Sequence, residues 1–185
     1  MMFVPSLGTG NYILIAPNAS NYADRLFWGR YITARLHSVV TRLLGGSPGL
    51  QSLAEARQGT FVKNRRHAGV KLVALNDIRG SESRSNDFDA AFRPLHRRMN
   101  QRWVNLASAW LRGVVFEAVE LIQIGSDYFV RDGHHRISVA RATGQRYIDA
   151  EVTILDVGEH AVLAERPAVT GRPRLLNQGA LVPVL

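Results

Sequence analysis

One fourteen-residue stretch, Tyr128-Phe129-Val130-Arg131-Asp132-Gly133-His134-His135-Arg136-Ile137-Ser138-Val139-Ala140-Arg141, limits the fold more than any other part of the chain. Tyr128 and Val130 alternate as in a strand, and Gly133 removes the Cβ that would crowd a tight strand-to-helix turn. The residues that follow open a helix, whose first N–H groups and positive dipole end favour an anion. Gly133, His134, His135 and Arg136 therefore read as a phosphate cradle, with arginine offering a planar fork and each imidazole a charge-assisted donor. Three or four such bonds at about 1.5–3 kcal/mol each give roughly 5–10 kcal/mol gross. Ordering the ligand and side chains leaves only about millimolar affinity, so a base pocket, a metal ion or a polyanionic partner must supply the rest.

Around this element the pattern is α/β. A helix is predicted from about Ser20 to Leu44, with Tyr22, Leu26, Ile32, Leu36, Val39, Leu43 and Leu44 forming its buried face. Ile13 and its neighbours form an edge strand or a docked arm. A short helix is expected over residues 50–57, and a basic linker or loop over 59–70. Val70 to Leu75 suits a strand, Arg79 to Asp89 a polar loop, and Phe88 to Leu111 helical patterning. Strands follow near 116–124, 128–131 and 147–155, with a helix over His134 to Thr143. This divides the chain into an N-terminal helical extension with basic linker (1–69), an α/β domain (70–155) and a C-terminal tail (156–185).

Composition narrows the chemistry. The chain has 185 residues, no cysteine and a net charge of +8. Disulfides, thiolate zinc sites and cysteine nucleophiles are thereby excluded. No apolar run is long enough to span a membrane and no signal pattern opens the sequence, so the expectation is a cytoplasmic protein of a bacterium or archaeon. Residues 57–102 hold eleven basic and four acidic side chains, for +7, which accounts for most of the excess. A block so rich in arginine suggests DNA, RNA or another polyanion as partner; the competing explanation is a solvated basic surface.

The strand–glycine–helix element, with Val73-Ala74-Leu75-Asn76-Asp77-Ile78 upstream and Gly144 to Val152 downstream, resembles the ParB/sulfiredoxin-like superfamily. It is most similar there to bacterial ParB-like proteins that share Gly80-Ser81-Glu82, Asp87-Phe88-Asp89 and Arg102-Trp103. The resemblance implies an α+β, small mixed-sheet domain with an N-terminal helical extension. It also implies a nucleotide or nucleic-acid phosphate as ligand in a DNA-linked bacterial process, with Mg²⁺ and a nucleoside di- or triphosphate as the expected cofactor. Sulfiredoxins carry a catalytic cysteine where His134 stands, so sulfinate repair is excluded. Chromosome-partitioning ParB proteins carry Gly-Glu-Arg-Arg, of which Gly133 and Arg136 remain. Free-serine kinases of this fold carry Asp-Gly-His-x-Arg, matched by Asp132, Gly133, His134 and Arg136. A Mg-dependent phosphotransferase, with Asp132 and Glu82 as catalytic carboxylates, is therefore the enzymatic alternative. A nuclease ranks below it, for want of clustered carboxylates.

Each residue also has a plainer role. Arg136 pairs with Asp132 or Glu120, or binds phosphate. Asp132 caps the helix, or serves Mg²⁺ or a proton. His134 and His135 lie about 100° apart on a helix and cannot both face the core. No third ligand stands at helical spacing from them, which argues against a metal site. Glu82 and Arg84 sit on a loop able to close over the cradle, Glu82 as an acid or base and Arg84 as a second phosphate ligand. Arg141 and Ser138 read as solvated and packing residues, and Trp103 and Trp110 as core.

Overall fold

The computed structural model describes residues 3–4, 13–14 and 18–159. Two short strands, β1 (Phe3–Val4) and β2 (Ile13–Leu14), pair antiparallel apart from the main sheet. A 25-residue helix α1 (Ala19–Leu43) follows, then β3 (Gln51–Ser52), a single-turn helix α2 (Leu53–Ala56) and the long strand β4 (Thr60–Ala74). The remaining elements are β5 (Ile78–Ser81), α3 (Asn100–Leu111), β6 (Val119–Ile124), β7 (Asp127–Asp132), α4 (His134–Ala142) and β8 (Tyr147–Glu159).

Six strands form one mixed sheet in the order β3-β5-β7-β6-β8-β4. The pairs β3–β5, β5–β7 and β6–β8 are parallel, while β7–β6 and β8–β4 are antiparallel. Side chains alternate between faces, so Leu121 and Val130 join a large core with α1, α3 and α4. Ile122 and Phe129 join a smaller one capped by Leu53 of α2. The α+β mixed sheet with an N-terminal helix is the architecture the sequence implies. No described helix is long and apolar enough to cross a membrane.

Four local expectations are corrected. The first concerns α1, which buries Ala19, Ala23, Phe27, Ala34 and Ser38 rather than its larger apolar residues. Ile32, Leu36, Val39 and Leu43 lie on the opposite side and are all more than half exposed. The small residues let α1 approach α3 closely, with Phe27 against Trp103 at 5.7 Å between ring centres. Second, residues 60–70 are not a linker but the first part of β4. Their pairing runs from Thr60↔Glu159 to Ala74↔Tyr147, with irregularities at Val62/Asn64 and His67/Val70. As an outermost strand with both faces largely exposed, β4 carries no apolar alternation to betray it.

Third, the loop expected from Arg79 starts later, because Ile78–Ser81 is β5. A Cβ on Gly80 would stand 2.1 Å from the Gln51 carbonyl oxygen, so only glycine lets β5 pass β3 and Phe129 this closely. Fourth, residues 88–96 are not helical. The buried Asp89 carboxylate accepts from the N–H groups of Ala91 (3.0 Å) and Arg93 (2.8 Å) and from Arg93 Nε (2.7 Å). These bonds offer the backbone an alternative to a helix, and Pro94 supplies no N–H. Helical structure resumes only at the 3₁₀ turn Arg97–Met99 and α3. The tail expected from residue 156 begins as the end of β8, and residues 160–185 lie outside the described part.

Candidate functional site

β7 passes into α4 through Gly133, whose φ of +98° is left-handed. That position admits no side chain: a Cβ would stand 2.4 Å from Val119 Cγ1 on β6. The first α-helical bond runs from Ile137 N to Gly133 O (3.0 Å), so the N–H groups of His134, His135 and Arg136 precede it. Beside them opens a cleft of about 600 Å³, lined by Arg84, Arg98, Arg102, Arg136, His134, His135 and Asp132, with Gln101 and Asn105 on α3.

Both histidines are buried, His134 at 4% and His135 at 7% exposure, against the expectation that only one faces inward. Phe88, brought in by the loop after β5, explains this: it stacks on His134 (6.1 Å, 15°) and meets His135 edge-on (5.4 Å, 80°). His134 Nε2 lies 2.7 Å from Ser81 Oγ. That oxygen already accepts from Ser83 N (3.2 Å) and Arg84 N (2.9 Å), so its own proton goes to the imidazole. His134 is then neutral and protonated at Nδ1. Burial first, then the Arg84 charge, push its pKa down to about 4. Burial and the charges of Arg102 and Arg84 do the same for His135, also to about 4. His135 Nδ1 is buried without a hydrogen-bond partner. At neutral pH the positive charge of the cleft thus comes from arginine, not from imidazolium as the sequence suggests.

A stability prediction follows. Two histidines held neutral in the fold, but free to ionise near pH 6.5 when unfolded, make the unfolded chain bind more protons between those values. Stability should be full above pH 6.5, fall as pH drops below it, and level off near pH 4, for a few kcal/mol in all. Urea titrations across this range check it. The His134→Gln, His135→Gln protein should lose that part of the slope.

The other expected site residues divide. Arg84 lines the cleft, half exposed and 4.0 Å from Asp87. Arg136 also lines it, but its guanidinium is engaged: Nη1 donates to the carbonyls of Glu117 (2.7 Å) and Ala118 (3.0 Å), and Nη2 to Asp132 (2.8 Å). Asp132 accordingly makes no cap on α4, whose N-cap is Gly133 itself. Glu82 pairs with Arg131 through Nε (3.0 Å) and Nη2 (3.4 Å), and does not line the cleft. Arg141 is not solvated. It donates to the carbonyls of Leu75 and Ile78, with its guanidinium 4.8 Å from the Phe92 ring centre. Ser138 accepts from Trp103 Nε1 at 2.9 Å inside the core, the packing role expected of both.

Sequence reasoning missed Ser81, Arg98, Gln101, Arg102 and Asn105. Arg98, in the 3₁₀ turn before α3, and Gln101, Arg102 and Asn105 on α3 recur at helical spacing, a signal hidden behind the apolar stripe of Trp103, Leu106 and Trp110. The basic block of residues 57–102 is also scattered. Lys63, Arg65, Arg66 and Lys71 ride on β4 at one edge of the sheet, while β5, which leads to Arg84, is next to the other edge. Arg66 lies near Asp156 (3.9 Å), Arg79 near Asp127 (3.4 Å), and Arg93 is tied to Asp89. Three of the eleven reach the cleft.

The chain is similar in part to a sulfiredoxin. That protein, from Arabidopsis thaliana, shares 16% identity over 45% of this chain and 82% of its own, with a TM-score of 0.35. Similarity this slight carries no argument about fold or chemistry. Neither a family model nor a curated protein matches the sequence.

Proposed function

We propose that this chain is a ParB/sulfiredoxin-like domain that binds a nucleotide, or a nucleic-acid end, by its phosphate group in the cleft at the start of α4. The observation that supports this reading is the convergence of Arg84, Arg98 and Arg102 on the unbonded N–H groups of that helix. Arg102 makes no ion pair or hydrogen bond among the described residues, and Arg98 is 76% exposed with only Asp87 at 3.4 Å, so both can turn to a ligand. The single acidic group in the cleft, Asp132, is held by Arg136. Scattering of the basic block favours a compact phosphate over a long duplex track, which needs charges in line.

The phosphotransferase alternative needs carboxylates for Mg²⁺, and the donor set fits it poorly. Asp132 and Glu82 each face an arginine, and no group of three or more metal-binding side chains occurs among the described residues. No metal step is therefore part of this reading.

Calorimetric titration of the full chain with pyrophosphate and with nucleoside diphosphates tests it. Saturable binding without Mg²⁺, weakening as salt rises, is expected. Failure of every phosphate compound to bind at low salt would sink the reading. The substitution Asp132→Asn should leave phosphate affinity equal or improved, since it removes the one negative charge in the cleft. Mg-dependent turnover abolished by Asp132→Asn would instead move the assignment to the phosphotransferase.

A further inference from the structure

A second cavity, of about 370 Å³, opens on the other side of Arg136 and has the opposite chemistry. Aromatic and aliphatic walls come from Trp110, Phe116, Tyr147 and Leu72, and its acidic groups are Glu117 and Asp149. The Trp110 and Phe116 rings lie 6.3 Å apart, inclined by 31°. Leu72 and Tyr147 are 67% and 48% exposed, so the pocket presents apolar surface to solvent.

The two carboxylates decide the ligand class. Six acidic side chains in this basic chain face an arginine: Glu82 faces Arg131, Asp87 faces Arg84 and Arg98, Asp89 faces Arg93, Asp127 faces Arg79, Asp132 faces Arg136 and Asp156 faces Arg66. The Glu117 and Asp149 carboxylates have no ion pair or hydrogen bond among the described residues. Arg136 borders the pocket too, but its charge is met by Asp132 and two carbonyls. Free carboxylates beside aromatic faces attract a cation twice, by direct charge and through the ring quadrupoles.

We propose that this pocket binds an organic cation: an ammonium or guanidinium group on a short aliphatic stem. The stem lies on the apolar wall and the charged end reaches Glu117 and Asp149 over the aromatic rings. This site is distinct from the phosphate cleft and stands whether or not that cleft is occupied.

Calorimetry with cadaverine and agmatine, against uncharged pentanediol as control, tests the proposal on the full chain. Both amines should bind saturably and the diol should not. The double substitution Glu117→Gln, Asp149→Asn should weaken amine binding about tenfold or more, and Tyr147→Ala several-fold. All three residues are exposed, so circular dichroism and thermal melts of these variants should match the parent. Arg102→Ala, in the other cleft, should leave amine affinity unchanged. Equal binding of pentanediol, no amine binding, or full affinity in the double variant would overturn the proposal. So would a neutral nucleoside that competes here and depends on Tyr147 but not on the carboxylates.

Discussion

Replacing Gly133 by alanine should destabilise the fold by about 3–5 kcal/mol, a large share of the roughly 5–15 kcal/mol that holds a typical domain folded. Two independent costs add. A non-glycine residue at φ +98° carries backbone strain of roughly 1–3 kcal/mol. The new methyl group would also stand 2.4 Å from Val119 Cγ1, and Val119 is fully buried in β6 with little room to retreat. Urea denaturation measures the loss. Adding Val119→Ala removes the nearest contact, but Val119 Cβ would still stand 2.7 Å from the new methyl group and the strain is untouched, so the double variant should recover only part of the loss. A Gly133→Ala protein as stable as the parent would contradict the turn geometry on which the cleft is built.

Removing Arg84 and Arg102 together should abolish phosphate binding while leaving the fold intact. Each charge-assisted bond contributes about 1.5–3 kcal/mol, so each single alanine substitution should weaken pyrophosphate binding roughly 10- to 150-fold. Arg84 is half exposed and Arg102 exposed, so melting temperatures should hardly move. Lysine at either position should restore only part of the affinity, because it keeps the charge but loses the planar fork. The salt dependence should also flatten as charges are removed. Since Arg102 helps hold His135 neutral, Arg102→Ala should raise the pKa of that imidazole, visible in its ring proton shifts. Unchanged affinity in the double variant would place the phosphate site elsewhere.

The strand–glycine–helix element was legible because its signals are local. Gly133 marks a turn that forbids a side chain, and the apolar alternation before it has the strand period. Strand β4 was not legible, because an outermost strand exposed on both faces keeps none of the pattern that burial imposes. Its evidence lies 73 to 99 residues away in β8, as pairing partners rather than as periodicity. On α1 the pattern was real but ambiguous: two apolar stripes lie on opposite sides, and only packing against α3 decides which is buried. The cleft shows the same limit. Gly133, His134, His135 and Arg136 were found as neighbours in sequence. Arg98 arrives from the 3₁₀ turn before α3 and Arg102 from α3 itself, and nothing in the linear order sets Arg136 against two backbone carbonyls.

The position of β4 has a consequence for how the molecule behaves when crowded. A fifteen-residue strand that is outermost among the described strands would ordinarily recruit strands from neighbouring molecules and seed fibrils. Here that margin carries Lys63, Arg65, Arg66, His67 and Lys71 and is broken by two irregularities in register. Like charges meeting across such a contact repel, and the bends spoil its alignment. The four basic residues of that block that ride on β4 would thereby disfavour edge-to-edge pairing of copies of the chain.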